Sequence, residues 1–160
     1  MSRPPTSSVR MPRSEVDTFL RDGHTGILTT LRSDGMPIAM PVWYALVEGT
    51  VIVETRGKKL ARLRHDPRAS FLVESGRHWA ELRAVHLTGW AEVLSPDTAA
   101  AIAEPVRVEM ARKYATYRTD LSEMPAPTRE VYESGGTLVR LHPDERILHW
   151  DNRRLGLPIS

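Results

Sequence analysis

Residues 26–55, GILTTLRSDGMPIAMPVWYALVEGTVIVET, carry the reading that decides the fold. GILTTL (26–31) is apolar and β-branched, Ser33-Asp34-Gly35 interrupts it, and MPIAMPVWYAL (36–46) resumes the pattern. Asp-Gly between two such runs favours a tight hairpin, because glycine takes up the positive φ of the turn without a steric penalty. Glu48-Gly49 repeats the signal ahead of TVIVET (50–55). The spacing predicts three consecutive antiparallel strands. Pro37 and Pro41 have no N–H to give a ladder, so the second strand belongs at an edge or a bulge.

Downstream, Arg56-Gly57 ends the third strand, and KKLARLRHD (58–66) predicts a short basic helix with Leu60 and Leu63 as its apolar face. RASFLVES (68–75) is a fourth strand. In ELRAVHLTGWAEVL (81–94), Val85, Leu87, Ala91 and Val93 alternate with His86, Thr88, Trp90 and Glu92, and Gly89 marks a bulge or barrel bend. Ser95 as N-cap and Pro96 at the first position open a helix reaching Tyr117, which Pro105 should kink or split. SEMPAPT (122–128) reads as a loop, TREVYES (128–134) as a short helix, and TLVRLHPDERILHW (137–150) as a last hairpin around Pro143-Asp144.

Upstream, Ser14 is expected to cap a short helix with Asp17 three places on; Val16, Phe19 and Leu20 form its apolar face and Gly23 ends it. The Pro-, Ser- and Thr-rich residues 1–12 are expected to form a flexible arm ahead of a single domain, 13–160. About six strands, joined mostly by tight turns, with helices between them, predict a mainly β (α+β) fold, a six-stranded antiparallel barrel rather than a parallel sheet.

A chain of 160 residues, 41% hydrophobic and 26% charged, can bury one substantial core. Its 22 Lys+Arg and 20 Asp+Glu leave a net charge of +2, too little to imply nucleic-acid binding. The absence of cysteine excludes disulfides, thiolate nucleophiles, iron–sulfur clusters and Cys-based zinc sites. No apolar run reaches the roughly 18 residues of a membrane span, and Met1–Pro12 has no signal-peptide core, so a soluble cytoplasmic domain is expected. The six histidines, at 24, 65, 78, 86, 142 and 149, form neither H-x-H nor H-E-x-x-H, and no G-x-S-x-G, G-x-G-x-x-G or P-loop is present. No metal site is expected, and no catalytic side chain stands out.

Two segments could hold a ligand. Arg56, Lys58, Lys59, Arg62 and Arg64 gather where a strand gives way to a helix. Helix N-terminal N–H groups and ammonium groups favour a phosphate there, with Thr55 adding a hydroxyl; a solvated helix face would carry the same charges. Met40-Pro41-Val42-Trp43-Tyr44 could line a planar aromatic cofactor with Trp43 as a shield, although a core tryptophan would look the same.

Taken in order, L-T-T-L-x-x-D-G-x-P (28–37), P-V-W-Y (41–44), T-R-x-x-K (55–59) and R-x-D-P-R (64–68) resemble the pyridoxamine 5′-phosphate oxidase-like split-barrel proteins, the flavin/deazaflavin oxidoreductase superfamily. ELRAVHLTGWAEVL is similar to that family's long strand. The resemblance implies an FMN-binding type of split barrel, assembled as a homodimer with the cofactor at the subunit interface. It places Met40, Pro41, Val42 and Trp43 along the ring and Thr55, Arg56, Lys58, Lys59 and Arg64 around the phosphate. Trp150 and the strand near Trp90 would close the site from the partner chain. Two features depart from the family: Arg62-Leu63 stands where the deazaflavin branch has Asn-Leu, and the ending HWDNRRLG lacks the Arg-x-His-x-Arg of true pyridoxamine-phosphate oxidases.

The expected function is therefore an oxidoreductase moving a hydride between a flavin-type cofactor and a small organic substrate. The first two motifs favour coenzyme F420, with FMN the other choice. The alternative is a flavin- or F420-binding carrier or sensor without turnover. A nucleic-acid-binding barrel is a third reading, poorly served by two phenylalanines and so small a net charge.

Overall fold

The computed structural model describes residues 8–159. Its strands are β1 (Gly26–Leu31), β2 (Pro37–Val42), β3 (Ala45–Val47), β4 (Thr50–Thr55), β5 (Arg68–Ser75), β6 (Arg83–Val93), β7 (Thr137–Pro143) and β8 (Leu148–Asp151). Its helices are α1 (Arg13–Asp22), α2 (Gly57–His65), α3 (Pro96–Tyr114) and α4 (Ala126–Glu133). The strands form one antiparallel sheet in the order β2-β1-β5-β6-β7-β4-β3, with β8 also on β6. The two ends of that path, β2 and β3, are consecutive in the chain. The sheet curls into a barrel whose seam is bridged covalently by Trp43-Tyr44 rather than by a ladder. This is a split barrel.

Both hairpins form where the turn residues put them. Gly35 has φ 84°, and Glu48 and Gly49 have φ 50° and 74°, the paired positive angles of a two-residue hairpin turn. β2 pairs only with β1, so its two prolines sit on a sheet edge, as their missing N–H groups require. The six expected runs become eight strands because two of them break. One breaks at the seam, the other after Pro143.

That second break overturns the final hairpin. β7 does not fold back on β8; both lie antiparallel to β6 along the same edge, β7 opposite Gly89–Val93 and β8 opposite Arg83–His86. Pro143 interrupts the ladder, but the Asp144 N–H donates to the Thr88 carbonyl at 2.7 Å and the Thr88 hydroxyl bonds the Asp144 carboxylate at 2.8 Å. The chain is thereby held to β6 and rejoins it at Leu148. Gly89 likewise makes no bulge, since the β5–β6 register runs unbroken from Arg68↔Trp90 to Ser75↔Arg83. Glycine is needed there because a Cβ would stand 2.0 Å from the His142 carbonyl oxygen.

Smaller expectations also change. α1 begins at Arg13 with Pro12 at the N-cap, whose carbonyl accepts from Glu15 and Val16; Ser14 lies inside the helix and caps nothing. α3 runs unbroken through Pro105, which faces solvent, and ends at Tyr114 before a 3₁₀ turn at Ala115–Tyr117. α4 starts two residues ahead of TREVYES, inside the expected loop. Of the arm expected at 1–12, residues 1–7 lie outside the described residues. Residues 8–12 are docked rather than loose, with Met11 buried and bonded through its N–H to His149 Nδ1 at 3.1 Å.

The barrel interior is filled by Leu28, Phe71, Val73, Val85, Leu87 and Leu141, with Val16, Phe19 and Leu20 of α1 and Leu60 and Leu63 of α2 packed into it. Each fully buried side chain of this size contributes about 1.5–3 kcal/mol. α3 covers β3 and β4 from outside, pressing Val106, Ile102 and Met110 onto Ala45 and Ile52. Ser95 caps α3 as expected, accepting from the Thr98 N–H at 3.3 Å.

Candidate functional site

β4 ends at Thr55, and the left-handed Gly57 turns the chain into α2. Arg56 is the N-cap residue and supplies no side-chain cap, so the first N–H groups of α2 have no partner from that side chain. Thr55 is 3% exposed, and its hydroxyl oxygen is buried without a hydrogen-bond partner among the described residues. Such an orphan is uncommon in a folded chain, and each one calls for an explanation. Lys58 and Lys59 follow, neither paired with an acid among the described residues. An open helix start, a hydroxyl and two ammonium groups suit an anion such as a phosphate.

The other basic residues differ. The Arg56 guanidinium donates to the Val131 carbonyl at 3.0 Å and to Glu54 at 2.9 Å, and lies 5.0 Å from the centre of the Tyr132 ring. It fastens α4 to the junction. Arg62 donates to the Thr30 hydroxyl at 2.7 Å, tying α2 to β1, and Thr30 sits opposite Ile38 of β2. This bond fixes the basic helix to β1, the strand neighbour of the open-edged β2. Arg64 is exposed on the same helix.

On β2, Met40 and Val42 share the face of Leu28 and Gly26, while Pro41 shares that of Ile27. Val42 is buried and Met40 is 41% exposed. Because β2 has one strand neighbour, part of its backbone N–H and C=O groups is left for another partner. Trp43 is half-buried and stacks on Tyr114 at 4.4 Å with planes 5° apart. Trp150 is on β8, reached from β2 only across β1, β5 and β6. Thr55, Lys58 and Lys59 thus lie within five residues of one another at the β4–α2 junction, α2 packs against β1 and β6, and Trp150 stands apart within one chain.

The seam carries a polar knot that the sequence did not disclose. The Tyr114 hydroxyl donates to the His24 carbonyl at 2.7 Å, accepts the Tyr44 N–H at 3.0 Å, and lies 3.1 Å from the Tyr44 carbonyl. Tyr44, fully buried, donates to the Leu20 carbonyl at 2.5 Å, and the Lys113 ammonium sits 3.6 Å over its ring. Burial raises both phenols, Tyr114 to about 12, and lowers Lys113 to about 8. A phenol so held is a framework residue, not a proton donor. Nothing in linear order links Tyr44 to Tyr114; only the seam does.

On the barrel's outer face, Trp90 is 48% exposed and stacks on His142 at 4.1 Å. His142 Nε2 is 2.7 Å from Glu92, and this bond, with Arg140 nearby, lowers the Glu92 carboxyl. Glu92 sits opposite Arg140, and His142 opposite Trp90, so the group follows from a register that single-strand patterns do not contain. Among the described residues, no three His, Asp or Glu side chains converge as a metal ion would require. No helix among them is long and apolar enough to cross a membrane.

Residues 12–143 match the family model described as pyridoxamine 5′-phosphate oxidase. No curated protein sequence matches the chain significantly. Among solved structures, a conserved hypothetical protein of Mycobacterium tuberculosis is 32% identical, with a TM-score of 0.76 over 99% of this chain and 96% of that one. An FAD-binding protein of Mesorhizobium loti has a TM-score of 0.63 at 18% identity, covering 87% of this chain and 92% of its own. HutZ, a heme storage protein of Vibrio cholerae, has 0.60 at 13%, covering 85% and 92%. The latter two likenesses are of fold alone. With the family match spanning both hairpins, the basic helix and the long β6 strand, the chain belongs to the pyridoxamine 5′-phosphate oxidase family of split barrels.

Proposed function

We propose that the chain is an oxidoreductase that binds a flavin-type cofactor, coenzyme F420 or FMN, between two copies of itself and passes a hydride to or from a small organic molecule. The observation that carries this reading is the buried, unpartnered Thr55 hydroxyl beside the open start of α2 and the acid-free Lys58 and Lys59. These groups would hold the cofactor phosphate. The edge of β2 at Met40–Val42 would bond the ring, and Arg56 and Arg62 would keep the junction and helix in place. The cofactor supplies the redox chemistry; the protein supplies position, charge and exclusion of water. Coenzyme F420 is favoured by the L-T-T-L-x-x-D-G-x-P and P-V-W-Y motifs.

A second copy is supported by the outer face of the sheet. Pro41, Ile27, Leu72, His86 and Leu148 form one cross-strand row over β2, β1, β5, β6 and β8; Leu148 within it and Trp150 beside it are exposed. Covering such a row is a familiar use of an isologous interface. The partner would also bring a Trp150 to a site that a single chain leaves without one.

Titration with FMN, FAD, coenzyme F420 and heme, read by absorbance and fluorescence, tests the binding. Saturable binding of FMN or coenzyme F420, followed by acceptor-dependent oxidation of the reduced cofactor by quinones, enones or nitroaromatics, is expected. Binding without oxidation by any acceptor favours the carrier. Binding of heme alone, or of none of the four, overturns the reading. Light scattering showing a stable monomer at micromolar concentration removes the shared site.

A further inference from the structure

Residues 8–12 form a strap against β8. That strand has β6 on one side, and its Asp151 N–H donates instead to the Val9 carbonyl of the strap at 2.7 Å. Two residues on, the Met11 N–H donates not to backbone but to Nδ1 of the half-buried His149, at 3.1 Å. The Met11 side chain is buried and joins the core cluster that holds Val16 and Phe19. Pro12 then starts α1, its carbonyl accepting from Glu15 and Val16, so the strap can leave β8 as far as Met11 without disturbing that helix.

The Met11 bond fixes the state of the ring. A backbone N–H only donates, so Nδ1 is bare and the proton of the neutral imidazole lies on Nε2. A second proton has only Nδ1 to occupy, the atom that holds the strap. N–H would then face N–H. The docked strap therefore excludes a proton that the undocked strap admits, and by linkage acid favours undocking.

The proton has a way in. His149 lines an open cleft of about 290 Å³ with Arg13 and Val16 of α1 and Glu145, Arg146 and Ile147 of the segment before β8. The charges around the ring are thus Arg13, itself 3.5 Å from Asp17, with Glu145 and Arg146. From β6 its register neighbour is the apolar Val85; on β8 the next charge, Asp151, is held by Arg153, and the strap adds the exposed Arg10. No carboxylate pairs with His149 among the described residues. We propose that residues 8–11 are a pH-gated strap, latched while His149 is neutral and released when it is protonated. Release uncovers the side of β8 that the strap covers, in the strand that carries the exposed Leu148 and Trp150. The inference does not rest on the flavin reading.

The test is amide exchange and imidazole NMR on the full chain without cofactor, at about pH 7.5 and about pH 5.5, on either side of the range in which imidazoles ordinarily change charge. At the higher pH the His149 ring should carry its proton on Nε2 and none on Nδ1. Protection of the Met11 amide, corrected for intrinsic exchange, should fall about tenfold on acidification, the loss of one hydrogen bond. Phe71 and Leu87, in the barrel interior, should keep theirs. His149→Asn sets an amide oxygen that does not titrate where Nδ1 stands, and should keep Met11 protected at both values. His149→Phe should leave it unprotected at both; where that variant fails to fold, the Asn comparison decides. A proton on Nδ1 at the higher pH, Met11 protection that does not change with pH, an equal fall in His149→Asn, or a loss shared by Phe71 and Leu87 would each overturn the proposal.

Discussion

Two polar corners of this barrel contrast sharply. At the seam, Tyr44 and Tyr114 are buried and Lys113 is half-buried, and each donor or acceptor meets a backbone group or a ring. At the β4–α2 junction, a buried hydroxyl has no partner and two lysines have no acid among the described residues. Sequence patterns alone give both corners a similar look, aromatic or basic residues beside a strand end. The difference is saturation. A satisfied network holds a shape, whereas unspent donors in a fixed arrangement leave capacity for a ligand.

The largest effect is expected at the saturated corner. Tyr114→Ala removes the stack on Trp43 and orphans both backbone groups of Tyr44, and should cost about 3–5 kcal/mol in denaturant unfolding. A loss below 1 kcal/mol would show that the seam does not depend on it. The junction should behave in the opposite way. Lys58→Ala with Lys59→Ala should weaken cofactor binding by about 1.5–3 kcal/mol per lost charge-assisted bond, while the melting temperature stays near wild type. Unchanged affinity by fluorescence titration would return the two lysines to the solvated surface.

A smaller effect comes from Lys113. Burial lowers its ammonium from the ordinary 10.5 to about 8 in the folded chain. Between those values the unfolded chain holds more protons, so stability rises with pH across this window and the gain is absent below it. Lys113 is partly exposed, and solvent screening reduces the gain to about 1 kcal/mol. Lys113→Met should flatten the rise between pH 8 and 10 in urea titrations; a slope equal to wild type would contradict the burial. The smallest effect is Thr55→Val. Replacing an unpaired hydroxyl with a methyl should leave free-protein stability within about 1 kcal/mol, or raise it, while weakening the cofactor. A clear destabilisation would mean the hydroxyl already has a partner.

Legibility followed the range of the interaction. The hairpins, the basic helix with Leu60 and Leu63 inward, the α3 cap and the edge position of the two prolines all follow from residues within a few places of one another. What escaped needed long-range register. Pro143-Asp144 has the composition of a turn, and only the unfilled edge of β6 makes it an excursion along one strand. Gly89 has the look of a bulge, and its purpose lies in the carbonyl of a residue more than fifty places away. The bond from the Arg56 guanidinium to the Val131 carbonyl of α4 likewise joins residues 75 places apart. The strap bond from Met11 to His149 spans 138, and no local pattern could assemble it.

The seam at Trp43-Tyr44 also bears on the order in which the molecule folds. β1–β2 and β3–β4 are each closed by a short turn, so both hairpins can form within microseconds from local chain alone. The pairing of β7 with β4 and β6 must wait for the whole segment carrying α3 and α4 to be brought round. Such distant closures set the pace of folding in barrels. Until α3 arrives, the backbone groups of Tyr44 at the link between the two hairpins lack the partner that Tyr114 gives them. The Tyr114 hydroxyl then seizes the N–H of Tyr44 beside its carbonyl, the place where a neighbouring strand would otherwise bond. Docking of α3 therefore completes the hydrogen bonding of that link. A variant unable to make that bond should refold with its hairpins formed early and its final, slow phase prolonged.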